Sequence, residues 1–209
     1  MKEHIIKTYS FDELSEESKE KAIDEFRYNN DNFEIYSGDV SETLKAFMKI
    51  FGAEFKRGNN YNWSIDPIDS KVNWNFEDDV LALSGLRLQK YLYNNYWKYI
   101  TKGKYYSTKS FYDENKKYHY RYRYSRITRE WDNCPLTGAC YDYDVLFPLI
   151  NFINARKPDN RDIEQILNEC TYELLKALKQ ELDYLETDEG IIERIEANNY
   201  EFLETGKLY

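Results

Sequence analysis

Residues 118–125 read YHYRYRYS. Tyrosine stands at 118, 120, 122 and 124, and His119, Arg121, Arg123 and Ser125 fill the places between. A repeat of two is the repeat of a β-strand, whose side chains point to alternate faces. The segment is therefore expected to be a strand with one aromatic face and one cationic face. It decides the fold class. With a strand over 118–127 and strongly helical sequence on either side, the chain reads as α+β: a single domain of about five helices packed on a small antiparallel sheet.

The strand lies inside a longer basic stretch, 102–131. That stretch carries nine Lys or Arg against three acids, and seven of the chain's 21 tyrosines. The whole chain of 209 residues carries −9, so the rest of it is strongly acidic. Two readings of the ribbon stand side by side. In one, the tyrosines cover the edge of the core and the arginines pair with acids of the protein's own helices. In the other, Lys116, Lys117, His119, Arg121, Arg123, Arg126 and Arg129 face a phosphate backbone or a partner protein. Tyr105, Tyr106 and Tyr112 then stack on bases. Phosphate contacts of that kind supply affinity, and aromatic stacking tolerates any base.

Outward toward the N-terminus, apolar residues at Phe11, Leu14, Ala22 and Phe26 mark a helix over about 11–28. Ser10 and Glu13 have the capping-box spacing. Val40, Leu44, Phe47, Met48 and Phe51 mark a second helix over about 40–51, closed by Gly52. Alternating segments at 53–57, 61–65 and 71–76 read as strands, with a hairpin turn at 58–60. Trp63 and Trp74 are expected in the core. A helix over about 79–100 follows Asp78 and Asp79, with Gly85 inside it.

Beyond the basic stretch, Pro135 and Gly138 mark a turn, and Asp142 is placed to cap a helix carrying Val145, Leu146, Leu149, Ile150 and Ile153. Cys140 reads as a small buried residue. Leucines and isoleucines spaced three and four apart mark a long helix over about 160–186, then a shorter one over 188–198. The tail is expected to turn back on itself at Thr205 and Gly206. Residues 159–209 hold 14 acids and five bases, an acidic helical counterpart to the basic stretch.

The residue inventory excludes several function classes. Three cysteines argue against a disulfide framework, and two histidines against a zinc cluster or a histidine-based triad. No GxGxxG, P-loop, HExxH or GxSxG signature is present. Asp78 and Asp79 are adjacent, and Asp142 and Asp144 are two apart, so neither pair shares a helix face as a catalytic dyad needs. No catalytic residue, cofactor or metal is expected. No apolar run nears the roughly 20 residues of a membrane span, and MKEHIIKTYS lacks the apolar centre of a secretion signal. A reduced, cytosolic protein is expected.

Three stretches carry a resemblance to a known group. They are YSFDELSEESKEKA at 9–22, TGACYDYD at 137–144 running on to Pro148 and Leu149, and ERIEANNYEF at 193–202. Together they resemble small accessory proteins encoded by phages and prophages, of the anti-CRISPR or anti-defence type. They are structural in character: a helix opening, a turn and a closing hairpin. The resemblance implies an inhibitor working in the host cytoplasm, with a bacterial defence effector such as a CRISPR nuclease complex as its partner. Two alternatives remain: a phage nucleic-acid-binding protein that uses the basic strand on RNA or DNA, and a metal-free nuclease or nucleotide-processing enzyme.

Overall fold

The structure, a computed structural model, describes residues 6–28, 32–53, 61–62, 71–102, 106–107, 110–112, 118–120, 124–125 and 134–209. Its α-helices are α1 (Glu16–Tyr28), α2 (Asn32–Ile50), α3 (Asp78–Leu81), α4 (Gly85–Lys102), α5 (Tyr141–Asn154), α6 (Ile163–Leu185) and α7 (Asp188–Ala197). The fold is all-α, which corrects the α+β class expected from the sequence. Of the strand expected over 118–127, the described residues are Tyr118–Tyr120 and Tyr124–Ser125, both extended; 121–123 and 126–127 lie outside the described residues. Tyr118–Tyr120 pairs antiparallel with Ser110–Tyr112, and Tyr124–Ser125 with Tyr106–Ser107. Tyr61–Asn62 pairs with Lys71–Val72. Each of these is a ladder of two strands and two or three residues. None has a third strand among the described residues, so there is no sheet face for helices to cover. A two-stranded ribbon is marginal alone; the helices bury one another instead.

The chain falls into two compact units, Met1–Tyr36 with Lys179–Tyr209, and Ser37–Leu178. In the first, Ser10 begins a capping box on a 3-10 turn, Phe11–Glu13, not on α1 itself. Its amide donates to Glu13 Oε2 at 2.8 Å, which holds the Glu13 carboxyl below its ordinary range. Leu14 then takes extended backbone, and α1 starts two residues later. Phe11, Leu14 and Ala22 bury against Ile191, Ile195 and Phe202. Phe202 bridges Tyr9 on one side and Leu208 on the other, so the tail does turn back at Gly206. Thr187 caps α7 by accepting the Gly190 amide at 3.1 Å, and Arg27 pairs with Asp24 at 2.8 Å and with Asp188.

In the second unit the expected apolar stripes meet. Val40, Leu44, Phe47 and Met48 of α2, Leu88, Leu92 and Ile100 of α4, Val145, Leu146 and Leu149 of α5 and Ile166, Leu167, Cys170 and Leu174 of α6 are all buried. Trp74 is in this core, edge-on to Phe47 and Phe51, and its indole N–H donates to Asn168 Oδ1 at 2.9 Å. Trp63 lies outside the described residues. The helix expected over 79–100 is broken. Gly85 adopts φ +55°, a left-handed conformation that glycine takes without strain, and it separates the single turn α3 from α4. Cys140 is exposed, against expectation; it holds the N-cap position of α5, at the end of the helix and not within its buried stripe. Asp162 and Gln165 form a reciprocal cap at the start of α6, with bonds of 3.0 and 2.8 Å.

Candidate binding cavity

The second helix carries two faces. Its apolar stripe goes to the core, and the opposite side presents Glu42, Lys45, Ala46, Lys49 and Ile50 at spacings of three and four. These residues form one wall of a cavity of about 510 Å³. The end of α4 supplies Lys98 and Tyr99, and the turn before α5 supplies Pro135, Leu136 and Thr137. Among the described residues, three ammonium groups and one carboxylate therefore border a space floored partly by apolar side chains. Lys45 is bonded to Glu42 at 2.8 Å. Lys49 sits in the last turn of α2. Lys98 lies 5.1 Å from the centroid of Tyr99, whose side is half open to solvent.

One buried carboxylate shapes the wall at 135–137. Asp142 is fully buried in the first turn of α5 and reaches back over the preceding turn. Its Oδ2 accepts the amides of Leu136, Thr137 and Gly138 at 2.8, 2.7 and 3.0 Å. Its Oδ1 accepts the hydroxyls of Thr137 at 2.8 Å and of Thr43, from α2, at 3.2 Å. A charged acceptor taking five donors is how a buried carboxylate is held without a cation. Asp142 therefore does not cap α5 as expected: the N-cap position is Cys140, no side chain caps it, and the Asp142 carboxylate, one residue into the helix, binds the amides of the preceding turn instead. Burial pushes the neighbouring Cys134 thiol above its ordinary range, with the Asp142 carboxylate adding to it. Burial likewise raises Asp144.

Of the binding residues expected from sequence, His119, Tyr106 and Tyr112 lie in the short strands, where the backbone alone is described. Tyr105, Lys116, Lys117, Arg121, Arg123, Arg126 and Arg129 lie outside the described residues. The Tyr124–Ser125 strand comes within 8 Å of α4, measured between Cα atoms. Among the described residues no group of three or more His, Cys, Asp or Glu is arranged to hold a metal ion. No described helix is long and apolar enough to cross a membrane.

Sequence reasoning misses the cavity because the outer face of α2 reads as ordinary solvated surface. A signal is present: 42, 45, 46 and 49 share one helix face, and two of the four are lysine. Lys98 and Tyr99 come just before the basic stretch and Pro135 just after it. The cavity is therefore bordered by the residues that lead into and out of that stretch. No family model, no curated protein and no solved structure matches the chain.

Proposed function

We propose that the protein is a phage-type inhibitor of a bacterial defence system, acting in the host cytoplasm by binding a nuclease effector or its nucleic acid. The observation that carries this reading is how charge is sorted between the two units. Met1–Tyr36 and Lys179–Tyr209 hold 19 acids against eight bases, and Ser37–Leu178 holds 19 acids against 21 bases. Nuclease effectors bind polyanions through basic channels, and a surface of fixed carboxylates competes for such a channel by the same long-range attraction. Glu189, Glu193 and Glu196 of α7 are exposed and belong to that surface. The resemblance of 9–22, 137–144 and 193–202 to phage accessory proteins supplies the biological setting.

The test is a binding and cleavage screen. Tagged full-length chain is incubated with purified defence nucleases, CRISPR effectors among them. The expected result is a salt-sensitive complex with one effector and a stoichiometric loss of target cleavage, with the target strand left intact. The triple variant Glu189→Lys, Glu193→Lys, Glu196→Lys is expected to weaken that inhibition. Recovery of no effector and no loss of cleavage across the screen would end this reading.

A second reading is carried by the basic composition of 102–131 together with the lysine-bordered cavity: a nucleic-acid-binding protein without a protein partner. A mobility-shift titration over salt separates the two, because neutralised phosphates give affinity a steep salt dependence.

A further inference from the structure

The cavity between α2, α4 and the 135–137 turn has the chemistry of a particular ligand class. Its volume of about 510 Å³ falls in the range of roughly 300–1,000 Å³ typical of small-molecule and cofactor sites. Glu42 offsets Lys45. Among the described residues neither Lys49 nor Lys98 has a carboxylate within ion-pair distance. The border thus keeps an excess of positive charge, placed on flexible lysine stems that act as point charges for an oxyanion. Tyr99 offers a partly exposed aromatic ring, the half-buried Ile50 offers apolar surface, and the largely buried Leu136 also lines the space. A ligand that satisfies all of these has a multiply charged anionic group joined to a flat ring.

We propose that this cavity binds a nucleoside phosphate, with Lys49 and Lys98 at the phosphate and Tyr99 against the base. A carboxylate metabolite of the same charge leaves Tyr99 and the apolar wall unused, and an apolar ligand makes no use of the Lys49 and Lys98 charges. The chemistry recognised is the same in a free nucleotide and in one residue of a single strand. The site's place in the chain suits a strand, since 102–131 follows closely on the wall that holds Lys98 and Tyr99. This inference stands apart from the inhibitor reading, because it is measured on the protein alone.

The experiment uses the full chain at low salt with two probes: adenosine triphosphate, followed calorimetrically, and fluorescent ten-nucleotide single strands of DNA and of RNA, followed by anisotropy. Variants are Lys49→Glu with Lys98→Glu, and separately Tyr99→Ala. A charge control changes Lys176→Glu with Lys179→Glu on α6, away from the cavity lining. All four side chains changed for charge are exposed or half-exposed, and retained helical circular dichroism checks each fold. The expected result is binding of at least one probe that falls about tenfold or more in the cavity pair and by about tenfold in Tyr99→Ala. The α6 control is expected to change it far less. Binding of the triphosphate, displaced by no strand, identifies a free nucleotide as the source; binding of strands alone identifies a nucleic acid. Failure to bind either probe, or equal losses in the cavity pair and the α6 control, overturns the proposal.

Discussion

Asp142 Oδ2 accepts the backbone amide of Thr137 at 2.7 Å while its Oδ1 accepts the hydroxyl of the same residue at 2.8 Å. The two residues are five apart, and the pair folds the turn at 135–138 onto the start of α5. Through Thr43, which donates to the same carboxylate, the turn is also fixed to α2. A wall of the cavity is therefore held by a single side chain with no solvent exposure.

Removing that carboxylate leaves the amides of Leu136 and Thr137 without their acceptor in a buried place. Each such loss is worth about 1–3 kcal/mol. Asp142→Ala is expected to destabilise the protein by at least about 3 kcal/mol, read from urea unfolding. Asp142→Asn keeps the shape and one acceptor oxygen but turns the other into a donor facing donors, so a loss of similar sign and smaller size is expected. A midpoint unchanged in both variants would contradict the role assigned to Asp142.

The helices are legible in the sequence because their signals are local. The stripes of α2, α5 and α6 and the box at Ser10 and Glu13 stand there at fixed spacings; α5 and α6 come within a few residues of expectation, whereas α2 begins at Asn32, eight residues before the expected start, and the box opens a 3-10 turn. Two local signals mislead. The Tyr/Arg alternation at 118–125 includes two short extended segments, Tyr118–Tyr120 and Tyr124–Ser125, but period two says nothing about how many neighbours a strand finds, and among the described residues each pairs with one. Gly85 reads as a weak point inside a helix, whereas its positive φ makes it a boundary. The cavity is hidden for another reason. Its border joins 42–50, 98–99 and 135–137, and sequence spacing within one segment does not reveal which segments will meet. Asp142 reads as a cap, yet its full burial and its bond to Thr43 depend on that same long-range meeting.

Gly206 and Gly38 make opposite predictions. Gly206 has φ +86°, and an added Cβ would lie 2.1 Å from the Ser18 carbonyl oxygen. That approach is fixed from the other side too, since the Ser18 hydroxyl donates to the Glu204 carbonyl at 2.7 Å. Gly206→Ala is expected to cost about 2 kcal/mol or more in equilibrium unfolding. Gly38 lies within α2, and a Cβ added there would meet nothing within 4 Å. Gly38→Ala is expected to stabilise by about 0.5–1 kcal/mol through helix propensity alone. The same unfolding titration reads both.

Asp144 supplies a pH prediction. Burial raises its carboxyl above the ordinary range, its own backbone amide opposes the rise, and the nearby Glu173 charge adds to it. A carboxyl raised in the folded state favours the fold when protonated. Its contribution is full below the unfolded value, about 3.9, and is lost as pH climbs through the folded value. At pH 7 the group therefore works against stability. Asp144→Asn is expected to raise the thermal midpoint at pH 7, with the advantage shrinking as melts are repeated down to about pH 3.5, below that unfolded value. A variant less stable than the parent at pH 7 would show that the charge is held favourably.

The three cysteines separate by reactivity. Cys140 is exposed, while Cys134 and Cys170 are buried and none is in a disulfide. Burial raises the Cys134 and Cys170 thiols above their ordinary range, so each is short of thiolate, the form that attacks, as well as shielded. Cys170 lies within α6 with no exposed surface and opens only when that helix leaves the core. Titration of the native protein with an aromatic disulfide reagent at about pH 8, near the ordinary thiol range, is therefore expected to modify one thiol quickly and the other two only on unfolding. The Cys140→Ser variant is expected to lose the fast phase alone. A fast phase that persists in Cys140→Ser would place Cys134 at the surface, and would mean that Asp142 does not hold the turn beside it.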